Sequence, residues 1–175
     1  FIDRYARLMG TKKNMTWAGR QNQRSAYEVA RQELFRDYEL MDADPIISSA
    51  LDIYSDESTV TNVEGLTLKI KTNNVKVKKI LHNLYYDIMN IDFNLWSWIR
   101  NLTKYGDMFL KLDILDKVGI VNITPVSGYD INRLEGHDID NPKLVQFEIT
   151  GEGNAGLNMK PELLENYEIA HFRLL

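Results

Sequence analysis

At Met108 the hydrophobic period of the chain changes, and no other feature restricts its fold as strongly. Before it, apolar residues recur every three or four positions, as an α-helix with one buried face requires; after it they alternate, as a half-buried strand requires. Helices first and strands second give an α+β fold, because a parallel sheet would need the two periods to alternate along the chain. The expected architecture is N-terminal helices followed by antiparallel strands.

The helices can be placed by their caps. Residues 1–24 are polar, without sustained periodicity beyond a short helical pattern from Tyr5 to Met9, and read as an arm before a domain over 25–175. Ser25 and Glu28 have the spacing of a capping box, which predicts a helix to about Met41. Asp44 followed by Pro45 opens a second, since the Asp carboxylate can accept from orphan amides and proline tolerates the first helical position. On a helix of roughly 100° per residue, Ile46, Ile47, Ala50, Leu51, Ile53 and Tyr54 share one arc, and Ser48, Ser49, Asp52, Ser55 and Asp56 the other. Leu66–Lys71 alternates as a strand. Asn73 or Asn74 caps a third helix, with Val77, Ile80, Leu81, Leu84, Tyr85 and Ile88 opposite Lys76, Lys79, Asn83 and Asn90. A fourth starts at Asp92 or Asn94 and stops at Gly106. Beyond it, 108–115 and 119–126 read as a hairpin, and 128–134, 143–150 and 167–175 as further strands.

Composition removes several functions. There is no cysteine, which excludes disulfides, thiolate zinc sites and thiol nucleophiles. No apolar run approaches the roughly eighteen residues of a membrane span. A net charge of −4 argues against a chain that grips nucleic acid along its whole surface, because that affinity comes from Lys and Arg displacing counterions. A chain of 175 residues with 44% apolar content can build its core without a cofactor.

The candidate catalytic residues are Asp52, Asp56 and Glu57. Asp52 and Asp56, four apart, face the same way, as a metal-dependent phosphotransfer or nuclease site requires. Such a site needs them turned into the core beside histidines, and the helical wheel puts them away from the apolar arc. The expectation is that Ile47, Leu51 and Tyr54 pack while the acids face water or a neighbouring subunit. Gly151–Gly156 spells the dinucleotide fingerprint, but no helix begins inside it to receive a pyrophosphate, and Pro161 follows. Ser127-Gly128 lacks the first glycine of a nucleophile elbow, where Pro125 stands. His82, His137 and His171 are too scattered to be a ligand set. Lys69–Lys79 is the basic cluster, able to meet phosphates or an acidic partner. Neither a catalytic, a cofactor nor a metal site is expected. Trp96 and Trp98 stand roughly 200° apart on the fourth helix, so one core cannot easily take both. A second packing surface is implied, in another layer or a neighbouring subunit.

Four blocks together, MDADPIISSALDIYSDEST, KILHNLYYDIMNIDFNLWSWIRNLTKYGDMFLKLDI, YDINRLEG and NYEIAHFRLL, closely resemble the portal protein of contractile-tailed, myovirus-type bacteriophages. The resemblance implies a structural subunit, not an enzyme, of a dodecameric ring at one capsid vertex. Double-stranded DNA passes through such a ring during packaging and ejection. The implied partners are further copies of the chain, the major capsid protein, the terminase packaging motor and the neck and tail connector proteins. The implied location is the virion, with host cytoplasm during assembly. The first residue is Phe and the sequence runs apolar into Leu175, so the chain reads as a portion of the wing domain, stopping before stem and crown. Most DNA contacts then belong to regions beyond it.

Overall fold

The computed structural model describes residues 17–63, 65–135, 144–150 and 162–174, with side chains from residue 29 onward. The Tyr5–Met9 pattern, His137 and Gly151–Gly156 lie outside these residues. The chain divides into two compact units, 1–41 and 42–175.

Helix α1 spans Trp17–Asp42, so it is already running at Trp17 and Ser25 lies inside it, not at its cap. The run WAGRQNQR lacks an apolar stripe, but most of it consists of good helix formers, and propensity carries the helix back through it. Within the first unit Phe35 is buried, with the Arg31 guanidinium 5.1 Å above its ring.

In the second unit two helices are capped as the sequence predicts, whereas the fourth starts at Ile91, ahead of the expected Asp92 or Asn94, after Asn90 without a side-chain cap. Helix α2, Pro45–Ser58, is capped by Asp44, whose Oδ1 accepts from the Ile46 amide at 2.8 Å. Helix α3, Val75–His82, is capped by Asn74, whose Oδ1 accepts from the amides of Lys76 and Val77. It continues as a wider π-helical turn, Asn83–Ile88, that ends at Asn90 with a left-handed φ of 44°. Helix α4 then runs Ile91–Tyr105 and closes on Gly106, φ 76°, a backbone conformation that favours glycine. Leu66–Lys71, expected as a strand, joins no ladder among the described residues. Side chains hold it instead: the Thr67 amide donates to Asp92 Oδ1 and the Tyr86 hydroxyl to the Leu68 carbonyl. Alternation makes a segment extended, but a strand also needs a free edge to pair with.

The strands form two antiparallel sheets. Strand β1, Asp107–Leu115, lies between β2, Gly119–Val126, and β6, Ile169–Arg173. The second sheet sets β4, Val145–Ile149, between β3, Ile131–Glu135, and β5, Glu162–Glu165. The β1–β2 turn uses left-handed Lys117 and Gly119, as expected for a tight hairpin. Strand β5, sequence ELLE, was not foreseen, because two adjacent leucines between glutamates show no alternation.

The two sheets share one core. Phe109 and Ile169 of the first meet Ile131, Phe147 and Leu164 of the second. The Phe109 and Phe147 rings stand edge to face at 6.2 Å, a geometry that suits their quadrupoles. Phe109 and its neighbour Leu110, which point to opposite sides of the strand, are both fully buried. Strand β1 is therefore covered on both faces. The fold is α+β.

Candidate functional site

Helix α2 is rotated from the orientation its hydrophobic arc predicts, so that only part of that arc is covered. Ser55 is completely buried and returns its hydroxyl to the Leu51 carbonyl at 2.8 Å. Ile47 and Leu51 are half-buried, whereas Ile46, Ala50, Ile53 and Tyr54 are exposed. Asp56 and Glu57 are exposed and Asp52 is half-buried, yet two of these acids are not left to water or a neighbouring subunit alone. Asp52 and Asp56 reach α4, because α4 offers α2 a polar face of its own.

The polar contacts run as an antiparallel ladder. Arg100 Nε donates to Asp52 Oδ1 at 2.6 Å, and one turn on, Trp96 Nε1 donates to Asp56 Oδ1 at 2.7 Å. As α2 advances from Asp52 to Asp56, its partner on α4 recedes from Arg100 to Trp96. Both pairs are four apart, so each presents its members on one side of its helix.

Arg100 is the centre of this interface. Its Nη1 and Nη2 grip both oxygens of Asp42 at 3.1 and 2.8 Å, and Nη2 also donates to Ser48 Oγ at 3.1 Å. Lys104, one turn further along α4, donates to Asp42 Oδ2 at 2.9 Å. Arg100, Lys104 and Asp42 have mostly buried side chains, while Asp52 is about half open to water. A planar guanidinium fits two carboxylates and a hydroxyl at once, which an ammonium could not.

The cluster holds its charges firmly. Hydrogen bonds from Arg100 and then Lys104 keep the Asp42 carboxyl well below the usual carboxylate range, against the opposing effect of burial. Hydrogen bonds to Asp42 and Asp52 push Arg100 above its already high ordinary value. Burial pulls Lys104 down, but its bond to Asp42 and the neighbouring Tyr105 more than offset this, and its value is raised. A carboxylate so stabilised is a poor proton carrier at neutral pH, since general acid–base work needs a group poised near the working pH. Its chemistry is adhesion between helices.

A second charged group ties β1 to β6. Asp107 Oδ1 meets His171 Nε2 at 2.8 Å and Arg173 Nε at 2.9 Å. Burial raises the Asp107 carboxyl, but bonds to His171 and then Arg173 outweigh it, and the net displacement is downward. The His171 ring stacks on Phe109, centroids 4.3 Å apart. His171 is thus a core residue with a polar tether, and the His82 ring lies tilted against Tyr86, centroids 4.6 Å apart.

The residues named from sequence are distributed as follows. Asp52 and Asp56 meet different partners, and Glu57 is exposed. Among the described residues no three His, Asp or Glu side chains converge as metal ligands. Trp96 and Trp98 are both half-buried, and Trp96 faces α2 through its indole nitrogen. Of the basic cluster, Lys69, Lys71, Lys76 and Lys79 are all exposed. Sequence reasoning does not single out Asp42, Arg100 or Lys104. The signal was present: Trp96, Arg100 and Lys104 repeat at the spacing of Asp52 and Asp56, with complementary chemistry.

No helix among the described residues is long and apolar enough to cross a membrane. No curated protein matches the chain. The profile of the bacteriophage T4-like portal protein (Gp20) family matches residues 31–142, a span that takes in α2, α3, α4, the Arg100 cluster and the first three strands. The fourth resembling block, at residues 166–175, falls outside it. With well over half its length matched, the chain belongs to the bacteriophage T4-like portal protein (Gp20) family.

Proposed function

We propose that this chain is a wall segment, part of the wing domain, of a dodecameric portal ring at one vertex of a phage capsid. It contributes rigidity and subunit contacts, without catalysing a reaction. The observation that carries this reading is the family match over residues 31–142. The structure lends support through its charged groups, which brace helix against helix and strand against strand instead of lining a reactive cleft.

In this reading the ring admits double-stranded DNA during packaging and releases it at infection. It touches the major capsid protein, docks the terminase motor and later carries the neck and tail connector proteins, first in the host cytoplasm and then in the virion. The packing or contact residues proposed are Ile47, Leu51, Tyr54, Trp96 and Trp98. Ile47 and Leu51 are half-buried beside α4 and Tyr54 is turned outward, so Tyr54 is the one of the three offered to a neighbour. Negative-stain electron microscopy of the protein expressed from its complete reading frame tests the proposal. Rings with a central hole are expected, and a monomer at every concentration would overturn it.

A further inference from the structure

Two helices of the second unit expose apolar side chains together with charges of opposite sign. On α2, Ile46 is 81%, Ile53 62% and Tyr54 66% exposed. The helix carries three acids, Asp52, Asp56 and Glu57, and no base. With Asp56 and Asp52 engaged by α4, Glu57 is the acid on the outward side, at roughly 40° from Ile53 and 20° from Ile46 on a helical wheel. On α3, Val75 is 82% and Ile80 66% exposed, and the helix carries Lys76, Lys78 and Lys79 and no acid. Lys76 and Lys79 fall between Val75 and Ile80 on the wheel. Each outward face therefore mixes exposed apolar side chains with one sign of charge, Glu57 among those of α2 and two lysines between those of α3.

Neither face is covered by the other within the chain, since both remain exposed. Isoleucine and valine at such exposure leave apolar surface in water at a cost of roughly 25 cal/mol per Å², so a partner that covers them is favoured. Complementary charge selects the occupant. We propose that the outward face of α2 docks on the outward face of α3 in a second copy of this chain, Glu57 meeting Lys76 or Lys79 and Ile53 meeting Ile80. This inference rests on the portal reading and gives it a subunit contact.

In the ring of the portal reading this contact is heterologous: each copy presents α2 to one neighbour and α3 to the other. Such a contact propagates head to tail until it closes into a ring. The interface is opposed by like charge if either side is reversed, and this makes it testable.

The chain has no cysteine, so introduced thiols report without background. Ile53→Cys and Ile80→Cys copies, mixed and oxidised, should give cross-linked heterodimers about tenfold faster than either copy alone. Glu57→Lys in the Ile53→Cys copy, or Lys76→Glu with Lys79→Glu in the Ile80→Cys copy, should remove that advantage. Combining both charge reversals should restore it. Circular dichroism of each variant checks that the fold survives.

If rings form by microscopy but cross-linking ignores the charges, the portal reading stands and this contact is overturned. If the Lys variants lose only affinity for duplex DNA while cross-linking is unchanged, α3 is a phosphate-binding surface and the contact is again overturned. A heterodimer rate no greater than the homodimer rates, in chains that retain their fold, rejects it outright.

Discussion

The interface between α2 and α4 and the core between the two sheets hold the same unit together by opposite means. Between the sheets, Phe109, Phe147, Ile131, Leu164 and Ile169 exclude water with apolar surface. Between the helices, Arg100 collects Asp42, Asp52 and Ser48, and Trp96 takes Asp56. The first kind of contact tolerates any partner of suitable shape. The second accepts only groups whose charges and directions match, so it fixes the register of α2 on α4, and it leaves Ile46, Ile53 and Tyr54 exposed. In a soluble monomer that arrangement is backwards, and in an assembling subunit it is useful.

The largest expected effect lies in the sheet core. Phe147→Ala removes a ring packed edge to face on Phe109 and should cost about 3–5 kcal/mol, measured by urea unfolding. The loss should be the same at low and high salt, because no charge is touched. A loss below about 1 kcal/mol would mean that the two sheets do not share a core.

Arg100→Met should cost less, about 2–3 kcal/mol, chiefly because it leaves the mostly buried Asp42 without its bidentate donor. Here the comparison sharpens. Adding Asp42→Asn to Arg100→Met should cost less than the sum of the two single losses, since the bonds between these groups can be lost only once, whereas no second substitution of that kind offsets Phe147→Ala. Strict additivity of Arg100→Met and Asp42→Asn in a double-mutant cycle would show that the two groups are not coupled.

The difference between the regions also decides what could be read from sequence. The strands were legible because a two-residue period marks MFLKLDIL and QFEI, although in β1 that period favours Leu110, Leu112 and Ile114 while Phe109 on the other face joins the shared core; the caps Asp44, Asn74 and Gly106 were legible because each satisfies a local backbone demand. The helix interface was not. A wheel separates polar from apolar residues but assigns the polar side to water by default, and it cannot know that a distant helix offers matching charges. Asp42 and Arg100 lie far apart in the chain, and neither sits in a motif. The same default turned the apolar arc of α2 inward, where the structure turns Tyr54 outward. In Leu66–Lys71 the local period was right, but pairing is a property of two segments, and the partner was a tyrosine hydroxyl and an aspartate.

Acid should weaken both regions, since each holds a carboxylate with a lowered pKa. Asp42 lies below its ordinary 3.8 in the folded chain, and Asp107 is lowered too. A depressed carboxylate contributes stability that is complete above its unfolded value and is lost as pH falls through the folded one. Urea midpoints should therefore hold steady at mildly acidic pH and decline as pH drops below about 4. Asp42→Asn starts lower but should decline less steeply, since one of the two linked groups is gone. Equal slopes in the two proteins would place the acid sensitivity elsewhere.

The smallest effect is expected at the open end of the ladder, where Trp96 Nε1 donates to Asp56 Oδ1. Asp56 is exposed, so water can replace it as acceptor once it is removed, and Asp56→Ala should cost only about 0.5–1 kcal/mol. Its optical effect should be larger than its energetic one: the indole loses a neighbouring carboxylate, and Trp96 fluorescence should change in intensity and wavelength while the unfolding midpoint barely moves. A single-tryptophan chain, with Trp17 and Trp98 replaced by Phe, isolates that signal. If Asp56→Ala costs as much as Arg100→Met, the ladder is uniformly strong and Arg100 is not its centre. If it costs nothing and leaves the emission unchanged, α2 and α4 are joined at the Arg100 end alone, and the outward face of α2 beyond Tyr54 is free to adjust to whatever docks on it.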